Sequence, residues 1–310
     1  MNDYSYDILD LLKKYDNDID AALAGESSPQ CLYAFSPLRE NLFEWVEFEP
    51  NARILQVGSD YGSYTGILAE RAGEVVVLDP RDENLEVNRI RHGECENVRF
   101  VRGDILADVR EAKAVAAKMR AENPASGAVA AIVRNEENYK EYKPKTGAVS
   151  GIKELMFKPF DYVVLGGYLT QCKKEEAAEI LHAAANFLKP GGVILAAVEN
   201  EMGVRYWMGA EKFETAFLEV EFRKLFEELT ATWGGSFTMY YPVPDYRYPV
   251  AVYSDHYLPQ TVYVTNISAR LDGPGLWFGS EEEAMAKACQ NGEFTKFNNS
   301  FLGVWEKGNV

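Results

Sequence analysis

The sequence has no apolar run of the ~18 residues that a bilayer-spanning helix needs. Its first twenty residues also lack the basic-then-apolar order of a secretory signal. A cytoplasmic location is the resulting expectation. Cysteine is scarce: Cys31, Cys95, Cys172 and Cys289 stand far apart with no CxxC pair, which offers neither a zinc knuckle nor a disulfide framework. No metal site is expected. Positive charge is short as well, with 32 Lys and Arg against 48 Asp and Glu and a formal net charge of −16. That balance opposes nucleic acid and anionic membranes at long range, and Arg89, Arg91, Arg99 and Arg102 are interspersed with acids rather than gathered. Histidine is limited to His92, His182 and His256, so few side chains titrate near neutrality.

What is present is enough apolar material for a large core. The 310 residues are 47% hydrophobic and 26% charged, which suits one large domain or one domain with an appendage. Ile8, Leu11, Leu12 and Tyr15 share one face of a helix expected within 3–23. A second helix is expected over 37–46, with Ser36 as its cap and Pro37 at its first position. Residues 1–50 thus read as a helical cap on an α/β domain over 51–310.

From Arg53 strands and helices alternate. Strands are expected at 53–57, 74–78, 98–101, 162–165 and 192–198, with helices over 63–71, 85–91, 107–121 and 174–187. Lys189-Pro190-Gly191-Gly192 makes the tight connection into the fifth strand. A helix over 211–229 and strands at 236–240 and 301–305 follow. Two stretches interrupt this rhythm and read as insertions: 122–158, with a short strand at 129–133, and the aromatic-rich 242–297. The fold class expected is α/β, a doubly wound, mostly parallel seven-stranded sheet with helices on both faces.

Chemistry concentrates after the first three strands. In Gly58-Ser59-Asp60-Tyr61-Gly62, Gly58 permits a sharp turn and close approach of a ligand, and Gly62 a close helix start. Asp79 ends the next strand, where a carboxylate can accept both hydroxyls of a ribose; its bland role is to cap a turn at Pro80. Asp104 is placed to take an adenine amine while Ile105 packs on the ring; its bland role is a surface turn. Gly166-Gly167 opens room at the same edge.

These features fit a nicotinamide dinucleotide or S-adenosylmethionine. A second mononucleotide half is not found, and Asp60 stands where a pyrophosphate loop prefers glycine. A carboxylate suits a sulfonium or an α-amino group better.

The chain resembles the class I S-adenosylmethionine-dependent methyltransferases, with Gln56-Val57-Gly58-Ser59-Asp60-Tyr61-Gly62 as the glycine-rich motif, Asp79 as the ribose acid and Asp104 at the adenine. More narrowly it resembles bacterial methyltransferases encoded alongside or fused to glycosyltransferases of cell-surface polysaccharide synthesis. The segments that carry this are 36–42, 199–206, 241–246 and 298–302. The resemblance implies S-adenosyl-L-methionine as cofactor, a small-molecule or glycan acceptor and a glycosyltransferase partner. Gln56 stands where the family motif usually begins with an acid, and Asp60 where it has glycine. These departures motivate the alternative of a non-catalytic cofactor-binding or scaffold protein.

A methyl donor arrives activated, so a base is needed only for a weak nucleophile such as a sugar hydroxyl. His256, Glu199 and Asp245 are the candidate bases. Arg39 and Asn41, ahead of the first strand, are candidates for the cofactor's carboxylate or for a lid, and otherwise for capping and surface pairing with Glu40 or Glu44. Arg205 is a candidate anion contact. The tyrosines between 240 and 257 suit either a flat ligand or strand core.

Overall fold

Successive residues of the central strands point to opposite faces of the sheet, and both faces are buried. In the computed structural model, Leu55 and Val57 of strand β1 (Arg53–Val57) and Val76 and Leu78 of β2 (Glu74–Asp79) enter one core. Ile54, Val75 and Val77 enter the other. Burial on both sides is why these strands read as continuous apolar runs. The structure describes residues 7–125, 127–128, 131–132, 134–142, 152–212, 215–261 and 278–309.

The remaining strands are β3 (Val98–Gly103), β4 (Tyr139–Glu141), β5 (Phe160–Gly166), β6 (Leu188–Glu199), β7 (Ser236–Val243), β8 (Ala251–Ser254) and β9 (Ser300–Glu306). They form one sheet in the order β4-β3-β2-β1-β5-β6-β9-β7-β8. Neighbours from β3 through β6 pair in parallel, whereas β9 runs antiparallel to both β6 and β7. Among the described residues the expected seven strands are therefore nine. The two additions, β4 and β8, pair antiparallel at the edges and lie inside the stretches read as insertions. Each has only three or four residues, too few to show a period. The short strand expected at 129–133 falls largely outside the described residues.

Helices Ala107–Glu122, Ala177–Phe187 and Glu219–Trp233 cover one face, contributing Val109, Leu181 and Phe226. Helices Thr65–Arg71 and Asp82–His92 cover the other, through Leu68 and Leu85. The late helix begins eight residues beyond the expected 211, because the Glu221 side chain accepts from the Leu218 N–H at 2.9 Å and sets its start there.

The N-terminal layer differs from expectation in detail. The single helix within 3–23 is two, Ile8–Lys14 and Ile19–Gly25, capped by Asp7 and Asp18. Asp16 and Asn17 break it at φ 52° and 65°, a conformation that Asp and Asn tolerate. A further helix, Pro29–Phe35, is capped by Ser28, and the expected 37–46 helix is a 3-10 turn, Pro37–Glu40, running into Asn41–Glu44. Ser28-Pro29 uses the same start signal as Ser36-Pro37. Ile8, Leu12, Ala34 and Phe35 pack with Val87, seating this layer on Asp82–His92.

Candidate functional site

Val57 lies opposite Leu78, and Asp79 opposite Arg102, so the carboxyl ends of β1, β2 and β3 share one edge of the sheet. Strand order reverses at β1, between β2 and β5, and open α/β sheets bind ligands at such a switch point. The turn after β1, Asp79, Asp104 and Gly166-Gly167 all meet this edge.

Gly58 has φ +83° and donates its N–H to Leu78 O at 2.8 Å. A Cβ there would meet Tyr168 Cδ2 at 2.7 Å. Gly62 has φ +81°, and a Cβ on it would come within 2.9 Å of both Asn88 and His92. Helix Asp82–His92 therefore presses directly on the turn. His92 Nε2 lies 2.9 Å from Gly62 O. Burial pushes the imidazole down to about 4, with Arg91 acting the same way and the Gly62 carbonyl opposing. The ring is thus neutral near pH 7 and donates from Nε2.

Asp79 is completely buried. Its Oδ2 accepts from the Ser59 N–H at 2.8 Å and from Asn84 Nδ2 at 3.1 Å. Its Oδ1 accepts from the Arg81 N–H at 2.8 Å and Arg81 Nε at 3.2 Å, while Arg81 Nη2 lies 3.4 Å from Oδ2. A carboxylate has about four acceptor positions, and the chain's own donors fill them. Arg81 then reaches Gln171 Oε1 at 2.7 Å.

Tyrosines cover the glycines of this edge. Tyr168 covers Gly58, Tyr64 covers Gly166 and Tyr246 covers Gly167; all three rings are buried. Burial drives the Tyr168 and Tyr64 phenols well above their ordinary range, so both stay protonated.

The other sequence-nominated residues have definite places. Asp60 is buried and ion-paired with Arg39, which also donates to Tyr33 O at 2.9 Å and Tyr64 Oη at 2.8 Å. Arg39 neutralises Asp60, so the Asp60 charge does not by itself set this turn against a pyrophosphate. Arg39 in turn is spent on that pair, and Asn41 donates to Pro249 O at 2.8 Å. Asp104 accepts from the Leu106 N–H at 2.9 Å and pairs with Arg110, which fits a helix start, and Ile105 is buried in the core.

Glu199 ends β6 in a buried network. Arg205 lies 3.2 Å from both Glu199 and Asp245, and Arg247 lies 2.6 Å from Asp245 and 3.6 Å from Glu199. His256 is exposed beyond β8, five strands from β1, or roughly 24 Å at about 4.8 Å per strand. The topology thus separates it from the crevice. His182 Nδ1 accepts from Trp233 Nε1 at 3.2 Å. The aromatic stretch divides its work, with Tyr246 and Tyr248 buried and Tyr257 exposed. Sequence reasoning gave no role to Arg81, two residues beyond Asp79, or to Tyr168, next to Gly167. Among the described residues no group of His, Cys, Asp and Glu is suited to a metal ion, and no helix is long and apolar enough to cross a membrane.

Three of the segments that carry the narrower resemblance, 199–206, 241–246 and 298–302, meet in space. Asn298 Nδ2 donates to Pro242 O at 3.1 Å and Asn299 Nδ2 to Pro244 O at 3.0 Å. Asn299 Oδ1 accepts from the Arg205 N–H at 2.9 Å, and Asn200 Nδ2 donates to Asn298 O at 2.6 Å. From segment 36–42, Asn41 bonds Pro249, three residues beyond segment 241–246.

No protein-family model matches the sequence, and no curated protein matches it. Among solved structures, the chain is similar to a Haemonchus contortus phosphoethanolamine N-methyltransferase 1 in complex with phosphoethanolamine and S-adenosylhomocysteine. That likeness has 14% identity and a TM-score of 0.47 over 97% of this chain; it spans 49% of the other, about half its length. It is also similar to the N-methyltransferase NodS from Bradyrhizobium japonicum WM9 in complex with S-adenosylhomocysteine, at 12% identity, 96% and 98% coverage and a TM-score of 0.43. A SAM-dependent methyltransferase from Archaeoglobus fulgidus gives 11% identity, 98% and 100% coverage and a TM-score of 0.48.

Proposed function

We propose that the chain binds S-adenosyl-L-methionine at the ends of β1 and β2 and transfers its methyl group to a small-molecule or glycan acceptor. The supporting observation is the combination of a positive-φ glycine turn after β1 with a carboxylate at the tip of β2, joined by the Ser59–Asp79 hydrogen bond. The sheet favours this cofactor over a dinucleotide. A dinucleotide sheet continues its parallel order past the fifth strand, whereas here the antiparallel β9 lies between β6 and β7.

The residues fit the group on one condition. Asp79 Oδ2 is fixed from within by Ser59 and Asn84, but Oδ1 is covered by Arg81, whose side chain is 49% exposed. Ribose hydroxyls can replace the Arg81 guanidinium once it swings away, and Asp104 lies at the next strand tip for the base. The cofactor supplies an activated methyl on a sulfonium. The chain supplies alignment and a water-poor setting. Glu199 and Asp245, held in place by Arg205 and Arg247, are the bases within this network that a hydroxyl acceptor would call on.

The glycan acceptor and the glycosyltransferase partner rest on the resemblance of segments 36–42, 199–206, 241–246 and 298–302. The last three converge through Asn200, Asn298 and Asn299, which supports treating those three as one functional unit. A second reading, a cofactor-binding or scaffold protein without turnover, rests on Gln56 and Asp60, where this chain departs from the family motif.

Calorimetric titration with S-adenosylmethionine and S-adenosylhomocysteine tests the proposal. Saturable binding below about 1 mM is expected, in the usual range for enzyme substrates, with a loss of tenfold or more in Asp79→Ala. Absence of heat at that concentration rejects it. Binding without S-adenosylhomocysteine formation from any cell-extract acceptor selects the second reading.

A further inference from the structure

We infer that Arg81 and the turn Tyr168–Gln171 act together as a gate that occupies the nucleoside crevice and must withdraw before a ligand enters. This rests on the nucleoside reading of that crevice. The two parts cover different halves of it. Arg81 bonds both oxygens of Asp79, where ribose hydroxyls would be accepted. Tyr168 lies against Gly58, where a glycine leaves the backbone open to close approach.

One hydrogen bond couples the halves. Gln171 ends the turn that begins with Tyr168, and its Oε1 accepts from Arg81 Nη2 at 2.7 Å. Lifting the turn therefore removes the ring from Gly58 and the outer partner from Arg81 in one movement. Gly166 and Gly167 precede the turn, with Gly167 at φ +89°, which places permissive backbone at its base. Arg81 is mobile in the required sense: half-exposed on a flexible stem, with a guanidinium that water can solvate after it leaves Asp79. Asp79 itself stays fixed by Ser59 and Asn84, so opening exposes a preformed acceptor rather than building one.

A gate of this kind lowers apparent affinity by the fraction of open molecules. Isothermal titration of S-adenosylhomocysteine into the full chain and into the variants R81M and Q171A tests it. Arg81→Met keeps an apolar stem and removes the competing donors. If closed molecules outnumber open ones about ten to one, R81M binds about tenfold more tightly, and Q171A shifts in the same direction by less. Hydrogen exchange of the ligand-free protein gives a second readout: the amides of 168–171 exchange faster in both variants while those of β1 are unchanged. Gln171 is exposed, so Q171A keeps the test available should R81M fold poorly. Equal or weaker binding by both variants, with the unmodified chain still binding, overturns the gate and leaves the nucleoside reading standing. Absence of binding by all three overturns the nucleoside reading and the gate with it.

Discussion

The Ser59 N–H and the Asp79 carboxylate meet at 2.8 Å, so the turn that leaves β1 is held by the residue that ends β2. Asp79 has no exposed surface, and its charge is matched by Arg81 on the outside and by amide donors within. Substitution by Asn keeps the shape but replaces one acceptor oxygen with an NH2 group that faces donors. Asp79→Asn is expected to lower unfolding free energy by about 2–4 kcal/mol, the cost of a buried donor left without its acceptor and of a broken charged bond. Urea denaturation measures this, and a midpoint within error of the unmodified chain would exclude the structural role.

Gly58 carries two separable constraints. Its φ of +83° disfavours any Cβ, and the Cβ would also strike Tyr168. Gly58→Ala should lose about 1–2 kcal/mol from the backbone alone, with more from the clash. Adding Tyr168→Ala should recover the steric part but not the backbone part. Strict additivity of the two substitutions in a double-mutant cycle would show that the ring and the turn do not touch.

The parts of the fold legible in the sequence are those governed by local rules. β1 falls where Arg53 to Val57 predicts it, and β2 and β3 extend only one or two residues beyond expectation, because parallel strands buried on both faces leave short apolar runs bounded by turns. The strand-tip positions of Asp79 and Asp104 follow from the same pattern. What lay beyond sequence reading was pairing at a distance. Nothing local to Arg39 announces Asp60, 21 positions away, as its partner, and nothing local to Asn41 announces Pro249. His256 misled for the complementary reason: its residue type suits catalysis, but only topology shows that β8 carries it to the far edge. Arg81 was legible in principle, since a cation two residues from a nominated carboxylate can fold back on it.

The Arg39–Asp60 pair invites a cycle of its own. Both side chains are almost wholly buried, so removing one charge strands the other at about 3–5 kcal/mol. Arg39→Met and Asp60→Asn are each expected to destabilise by that order, Asn being chosen because it tolerates the φ of 46° at this position. The double variant should lose clearly less than the sum. Simple additivity in guanidinium unfolding would mean that the charges do not depend on each other.

His92 gives a pH signature with a definite sign. Burial lowers its folded-state value to about 4 from an ordinary 6.5, so the neutral ring is the form that the folded chain accommodates. Its contribution is fully present above pH 6.5 and is lost as pH falls from 6.5 towards about 4, because the unfolded chain takes up the proton first. The effect is at most about 3 kcal/mol at 1.36 kcal/mol per unit, and less for the part of the ring that remains wet. Stability measured from pH 7 to pH 4 should fall more steeply for the unmodified chain than for His92→Gln. Parallel curves would place the ring in solvent.

Asn298 offers the sharpest test of the junction formed by segments 199–206, 241–246 and 298–302. Its side-chain amide donates to Pro242 O at 3.1 Å and to Ser300 O at 2.6 Å, both buried bonds. Its own backbone carbonyl accepts from Asn200. Asn298→Leu keeps the volume but leaves two carbonyls without donors. At about 1–3 kcal/mol for each unsatisfied group, a loss of roughly 2–4 kcal/mol is expected. Because Pro242 and Ser300 belong to β7 and β9, the loss should appear first as faster hydrogen exchange at the carboxyl end of β7, ahead of any change in β1. Uniform acceleration across the sheet, or none, would show that Asn298 does not tie these strands together.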